Sequence, residues 1–71
     1  MEYIRVTFDP NDIRDVIASG NVVGQTEAEL IVETDYYVVS LSGSGYAPSH
    51  RYVPVSGTLP GNPLIIQFTK A

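Results

Sequence analysis

Apolar residues recur at every second position in several runs of this chain. Successive side chains of a β-strand point to opposite sides of a sheet, so this period is typical of strands that bury one face. The clearest runs lie at residues 4–8, 28–33, 37–42 and 64–69, and Val53 with Val55 adds a shorter one. Their apolar faces supply the predicted core: Ile4, Val6, Phe8, Leu30, Val32, Tyr37, Val39, Leu41, Val53, Val55, Leu64, Ile66 and Phe68.

Turn-forming residues separate these runs. Ser19-Gly20-Asn21 can close a tight turn because Gly and Asn tolerate positive φ, and Gly45 lets the Tyr46 ring fold back over the edge of the core. A long loop is expected from Ser56 to Pro63. Short strands at this spacing predict one all-β domain over residues 1–71, a small antiparallel β-sandwich or open barrel of about six short strands.

Residues 11–17 fit two interpretations. Ile13, Val16 and Ile17 match one face of a helix, and Asn11 or Asp12 could cap it. The other interpretation is a turn followed by a short strand at residues 16–18. The strand is favoured, and a single helical turn near residues 11–15 stays open before it.

Composition narrows the classes of partner. The 71 residues carry a net charge of −4, and the four basic residues do not cluster, so no nucleic-acid partner is expected. No apolar run approaches the roughly 18 residues of a membrane-spanning helix, so no membrane insertion is expected. The chain has no cysteine and therefore no disulfide or zinc-thiolate site. Localisation stays open: the start lacks a signal peptide, which predicts the cytoplasm for a complete chain and the cell surface or envelope for an excised domain.

Turn and strand signals follow one another in a set order between residues 20 and 48. They are Gly20, Val23-Gly24-Gln25-Thr26, Leu30 with Val32, Tyr37 with Val39 and Leu41, and Ser42-Gly43-Ser44-Gly45-Tyr46. This order resembles the PEGA-type surface-domain family. The chain departs from it in lacking the Pro-Glu-Gly-Ala stretch, with Glu27 in place of a proline and Asp35 in place of a glycine. The resemblance implies a non-catalytic β-sandwich module, often attached to larger surface or envelope proteins.

No arrangement of residues predicts an enzyme or a cofactor. His50 is the single histidine, and no Gly-x-Ser-x-Gly elbow surrounds a serine. Glu29 and Glu33 would lie about 13 Å apart along a strand at ~3.3 Å per residue. That separation exceeds the roughly 5–9.5 Å of paired catalytic carboxylates. No catalytic residue is therefore assigned.

An oxygen-rich segment gives a weak calcium candidate. Asp9, Asn11 and Asp12 imitate the first ligands of a calcium loop, but Ile13 and Arg14 stand where a further ligand and a glycine are needed. Turn formation explains the same residues without a metal, so no metal site is predicted.

Tyrosine is abundant, with five residues in 71. Exposed tyrosines on a sheet can anchor a protein partner or stack on a sugar, and Tyr36, Tyr46 and Tyr52 are the candidate binding residues. The predicted function is a non-catalytic interaction or structural module. It would dock to a larger protein, or to itself, through a strand edge or a tyrosine-bearing face. A carbohydrate or small-ligand binding domain that uses the exposed tyrosines is the alternative.

Overall fold

The chain is built from β-strands. The computed structural model describes residues 1–9 and 13–71, which form eight strands and no helix. The all-β prediction is confirmed, and the expected number of about six strands is too low. The strands are β1 (Glu2–Asp9), β2 (Asp15–Ala18), β3 (Asn21–Gln25), β4 (Glu29–Val32), β5 (Asp35–Leu41), β6 (Tyr46–Ala47), β7 (Arg51–Val55) and β8 (Leu64–Lys70).

Within the described residues these strands form two four-stranded sheets. The first has the order β4-β1-β8-β6 and the second the order β3-β2-β5-β7. The pair β1 and β8 is parallel, from Ile4 opposite Leu64 to Asp9 opposite Thr69. The prediction of an antiparallel arrangement is therefore wrong for this pair of strands. Alternation fixes the face to which each side chain points, but it carries no information on the direction of the neighbouring strand.

The inward faces of both sheets form one hydrophobic cluster. Val16 and Ala18 of β2 also face inward and were not predicted. Tyr37 and Leu64, predicted as core, are half-buried and pack against its margin. The buried apolar residues are Ile4, Val6, Phe8, Val16, Ala18, Leu30, Val32, Val39, Leu41, Val53, Val55, Ile66 and Phe68.

The favoured strand interpretation of residues 16–18 is confirmed by β2. The helical turn near residues 11–15 falls partly on residues 10–12, outside the described residues, and Ile13 to Asp15 contain no helix. The hairpin from β2 to β3 turns through Ser19 (φ 49°) and Gly20 (φ 88°), and Ala18 pairs with Asn21. Two central residues with positive φ make a type I′ turn, whose twist matches that of the flanking strands.

Strands β3 and β6 were not predicted. β3 contains a bulge, because Val16 pairs with Gly24 while Ile17 pairs with Val22, which leaves Val23 as the extra residue. Glycine is favoured at position 24, since its φ is 155° and a Cβ atom would overlap Leu30 Cδ2 unless that side chain shifted. The bulge interrupts the alternation of apolar and polar residues by which strands are predicted. β6 has two residues and is too short to show an alternation.

Candidate functional site

The outer side of the second sheet carries exposed aromatic and aliphatic side chains. Tyr36 is 79% exposed and Tyr52 is 77% exposed. Tyr36 pairs with Pro54 and Val38 pairs with Tyr52, so the two tyrosines are diagonal neighbours on adjacent strands, roughly 7–8 Å apart between backbones. We call the apolar and aromatic residues on the outward side of this sheet the tyrosine face: Val22, Ile17, Val38, Tyr36, Tyr52 and Pro54.

A shallow cleft opens at one end of the tyrosine face. Its volume is about 100 Å³. The Asp35 carboxylate is exposed, and its Oδ1 accepts a hydrogen bond from the Tyr36 backbone N–H at 2.7 Å. Tyr36 and Pro54 stand side by side across the β5–β7 pair. We call this the Tyr36 cleft, and its lining residues are Thr34, Asp35, Tyr36, Pro54, Val55 and Ser56.

Tyr46, the third candidate tyrosine, lies elsewhere and is half-buried. Its ring makes edge-to-face contacts with Phe68 at 5.6 Å and with Phe8 at 6.3 Å between centroids. Its hydroxyl donates to the Leu41 carbonyl at 2.8 Å and accepts from the Leu41 N–H at 3.2 Å. The predicted folding of this ring over the edge of the core is confirmed. The structure thus brings Tyr36 and Tyr52 together and holds Tyr46 apart.

The outer side of the first sheet is different because a loop reaches across it. Ile31 and Ile65 are 57% and 54% exposed. Gly61 lies in the loop that leads into β8, yet its N–H donates to Glu29 Oε1 of β4, on the far side of β1, at 3.0 Å. This surface has apolar residues but no exposed pair of aromatic rings comparable to Tyr36 and Tyr52 in the described part of the chain.

Glu2 holds three segments together beside the Tyr36 cleft. Its Oε2 accepts from the Thr34 hydroxyl at 2.6 Å, and its Oε1 accepts from the Thr58 hydroxyl at 2.6 Å and the Thr58 N–H at 2.9 Å. Hydrogen bonds from Thr34 and then Thr58 favour the ionised carboxylate. They lower the pKa of Glu2 from 4.5 to about 2, against an opposing effect of burial.

Acid is expected to weaken the fold through Glu2. Because the pKa is lower in the folded chain, the unfolded chain binds more protons between its value of 4.5 and about 2. The stabilising contribution is complete above pH 4.5 and is lost as the pH falls toward 2. Urea unfolding at several pH values should show a stability difference between wild type and Glu2→Gln that is constant at neutral pH and shrinks in this window. Glu33→Gln, an exposed control, should keep the wild-type acid response, and an acid response unchanged in Glu2→Gln would contradict this assignment.

The remaining sequence candidates have separate places. The His50 ring lies edge-to-face with Tyr52 at 5.6 Å, and its Nδ1 is 3.1 Å from Ser49 Oγ. Glu27 covers the edge of β1, where its Oε2 accepts from the Phe8 N–H at 3.0 Å and its N–H donates to the Val6 carbonyl at 2.8 Å. The Glu27 contacts join the connection between β3 and β4 to β1, whereas the Ser49–His50 contact lies between exposed neighbours in the sequence.

The weak calcium candidate falls largely outside the described residues. Asn11, Asp12 and the Asp9 side chain lie outside the described residues, and the Asp9 backbone ends β1. Elsewhere in the described chain, no group of three or more His, Asp or Glu side chains is arranged to hold a metal ion.

Sequence reasoning missed most of the Tyr36 cleft. Thr34, Asp35 and Pro54 carry no local signal of binding, and they meet because β5 pairs with β7 in a register that places Pro54 opposite Tyr36. Register between distant strands depends on the whole fold. The adjacent Tyr36 and Tyr37 were the one usable signal, since neighbours on a strand must face opposite sides.

Comparison with known proteins gives no relative. No protein-family model, no curated protein and no solved structure matches this chain. Residues 1–9 and 13–71 contain no helix that is long and apolar enough to cross a membrane.

Proposed function

We propose that this chain is a non-catalytic interaction module that docks to a larger protein through its tyrosine face. The observation that carries the proposal is the exposure of Tyr36 and Tyr52, at 79% and 77%, on one continuous surface with Val38 and Ile17. Tyrosine supplies a large apolar area with little conformational entropy to lose, which suits the centre of an interface.

Strand edges support docking less well than the tyrosine face. Edge strand β7 contains Pro54, which has no N–H to donate to an added strand. Edge strand β3 is bulged, and edge strand β6 has two residues. Edge strand β4 has four residues, no proline and no bulge, so it is where an added strand would pair if docking used an edge.

The fold supports the same class of function. We propose that the two sheets form a β-sandwich of the PEGA type, in which a small domain serves a larger protein. The order of turns from Gly20 to Tyr46 supports this, with the Ser19-Gly20 turn and the bulge before Gly24 at the expected points of the chain. Such a module needs no catalytic residue.

The proposal is tested by capture of the partner with two matched surface variants. Immobilised wild type, Tyr36→Ser/Tyr52→Ser and Ile31→Ser/Ile65→Ser are exposed to a lysate of the source organism, and captured proteins are identified by mass spectrometry. Truncation of anchor tyrosines costs 2 kcal/mol or more, roughly a 30-fold loss of affinity. The tyrosine variant should lose the protein that wild type and the first-sheet variant retain.

Two results would contradict this proposal. Capture that survives Tyr36→Ser/Tyr52→Ser points to another surface, such as the β4 edge. Equal loss in both double variants, with unchanged circular dichroism, shows that the tyrosine face has no special role. Light scattering on the purified wild type identifies self-association, in which case the captured partner is a second copy.

Carbohydrate binding is the second candidate. Two exposed rings on neighbouring strands could stack on a sugar, but Tyr46, the third ring expected to contribute, has its hydroxyl bonded to Leu41. Binding of oligosaccharides on a glycan array, abolished by Tyr36→Ser/Tyr52→Ser, would favour this candidate over a protein partner.

A further inference from the structure

The size of the Tyr36 cleft limits what can fill it. Pockets for small molecules and cofactors usually measure about 300–1,000 Å³. The Tyr36 cleft measures about 100 Å³. This volume suits one side chain of a partner protein, held at the edge of a larger contact surface, in the way that anchor residues occupy interface pockets.

The charges around the cleft select a cation. Asp35 is an exposed residue of its lining, and the exposed Glu33 precedes it by two residues. The lining residue Thr34 donates its hydroxyl to the Glu2 carboxylate at 2.6 Å, so a second negative charge is bonded to the lining. The acidic residue Asp35 and the exposed aromatic residue Tyr36 thus line the same cleft, and a cation gains from a carboxylate and from an aromatic ring.

The arginines of this chain are engaged elsewhere. Arg5 donates to the Glu27 carbonyl at 3.0 Å, Arg14 to the Ser42 carbonyl at 2.9 Å and Arg51 to the Gln67 carbonyl at 3.3 Å. A second copy would have to break such a contact to insert one of them. Charge complementarity, with a net charge of −4 on this chain, therefore favours a different, basic partner.

We propose that the Tyr36 cleft binds the guanidinium group of an arginine presented by the partner protein. This inference rests on the proposed function and adds the chemistry of one anchor residue. The guanidinium would donate to the Asp35 carboxylate at the start of β5 and lie against Tyr36, since both residues line the cleft. Arginine suits this better than lysine because its planar fork stacks on aromatic rings and pairs with a carboxylate through two hydrogen bonds.

The probe is a short arginine peptide in an NMR titration of the whole chain. Acetyl-Gly-Arg-Gly-amide is added to the ¹⁵N-labelled protein, with the citrulline and lysine peptides as controls. Citrulline keeps the shape of arginine and removes its charge. Shifts should concentrate at residues 34–36 and 54–56 with a Kd on the order of millimolar, about −4 kcal/mol. The citrulline peptide should bind at least tenfold more weakly, and the lysine peptide should lie between the two.

Variants distinguish a specific pair from a general negative field. Asp35→Asn can still accept the Tyr36 N–H and should weaken arginine binding about tenfold, equivalent to about 1.4 kcal/mol. Glu33→Gln removes the same charge from a residue outside the lining and should change the Kd by less than about twofold at physiological salt, where exposed charges are screened. If Asp35→Asn disturbs the fold, the comparison of the arginine and citrulline peptides on the wild-type protein still tests the inference.

Three results would overturn the inference. They are absence of shifts at residues 34–36 and 54–56, equal binding of arginine and citrulline peptides, and equal effects of Asp35→Asn and Glu33→Gln. Failure here is distinct from failure of the proposed function. Loss of partner capture in Tyr36→Ser/Tyr52→Ser without arginine binding overturns only the cleft assignment. Arginine binding with capture insensitive to both tyrosines overturns docking through the tyrosine face.

Discussion

Replacement of Phe68 by alanine is expected to lower the free energy of unfolding by about 3–5 kcal/mol, because it removes the packing contacts of the ring and leaves a cavity in the core. Phe68 is 0% exposed, lies opposite Phe8 in the parallel β1–β8 pair and contacts the Tyr46 ring at 5.6 Å. A 71-residue chain has a total stability of only about 4–10 kcal/mol at usual values per residue. This one change would therefore remove a large part of it.

Urea unfolding followed by circular dichroism measures the effect. At a slope of about 1 kcal/mol per molar urea, the midpoint should fall by about 3 M or more. Ile65→Ala is the matched control, since Ile65 lies on the same strand but is 54% exposed. It should cost no more than about 0.5–1 kcal/mol. Similar midpoints for Phe68→Ala and Ile65→Ala would show that Phe68 does not anchor the core.

The core could be predicted because alternation and burial act on the same residues. Ile4, Val6 and Phe8 all point inward, and the polar residues between them do not. A shift of one position would expose the whole apolar set, so the face of each regular strand is strongly determined. Tyr37 is only half-buried because its hydroxyl donates to the Glu33 carbonyl at the edge of the sheet, at 2.7 Å.

Strand number and direction could not be predicted in the same way. The bulge at Val23 breaks the period of two in β3, so this strand does not show the alternation by which strands are predicted. The parallel pairing of β1 with β8 joins the first and last strands, and no local pattern specifies it. Both features arise from contacts between residues far apart in the sequence.

The candidate site was only partly predictable for the same reason. The sequence shows that one of Tyr36 and Tyr37 must face outward, and the alternation of Tyr37 with Val39 and Leu41 predicts that it is Tyr36, which is 79% exposed. Pro54 and Asp35 join Tyr36 through pairing of β5 with β7. Tyr46 shows the opposite case, because its half-buried position follows from the turn at Gly45 and from the Phe8 and Phe68 rings below it.

Loss of the Tyr46 side chain is the second large effect expected. Tyr46→Ala should lower the free energy of unfolding by about 2–4 kcal/mol, because it removes the contacts with Phe8 and Phe68. Tyr46→Phe keeps the ring and removes the hydroxyl, which leaves the N–H and carbonyl of buried Leu41 without this partner. About 1–2 kcal/mol is expected from that change alone.

Urea unfolding and hydrogen exchange separate the two contributions of Tyr46. In Tyr46→Phe the Leu41 amide should exchange faster, because the hydroxyl no longer accepts its hydrogen bond. Tyr52→Phe is the control, since that side chain is 77% exposed and the change should stay within about 0.5 kcal/mol. The hydroxyl of a half-buried tyrosine fixes the turn after β5 to the strand itself, as in the tyrosine corners of β-sandwiches. Equal stabilities of Tyr46→Phe and Tyr52→Phe, with Leu41 exchange unchanged, would show that the ring alone holds this turn.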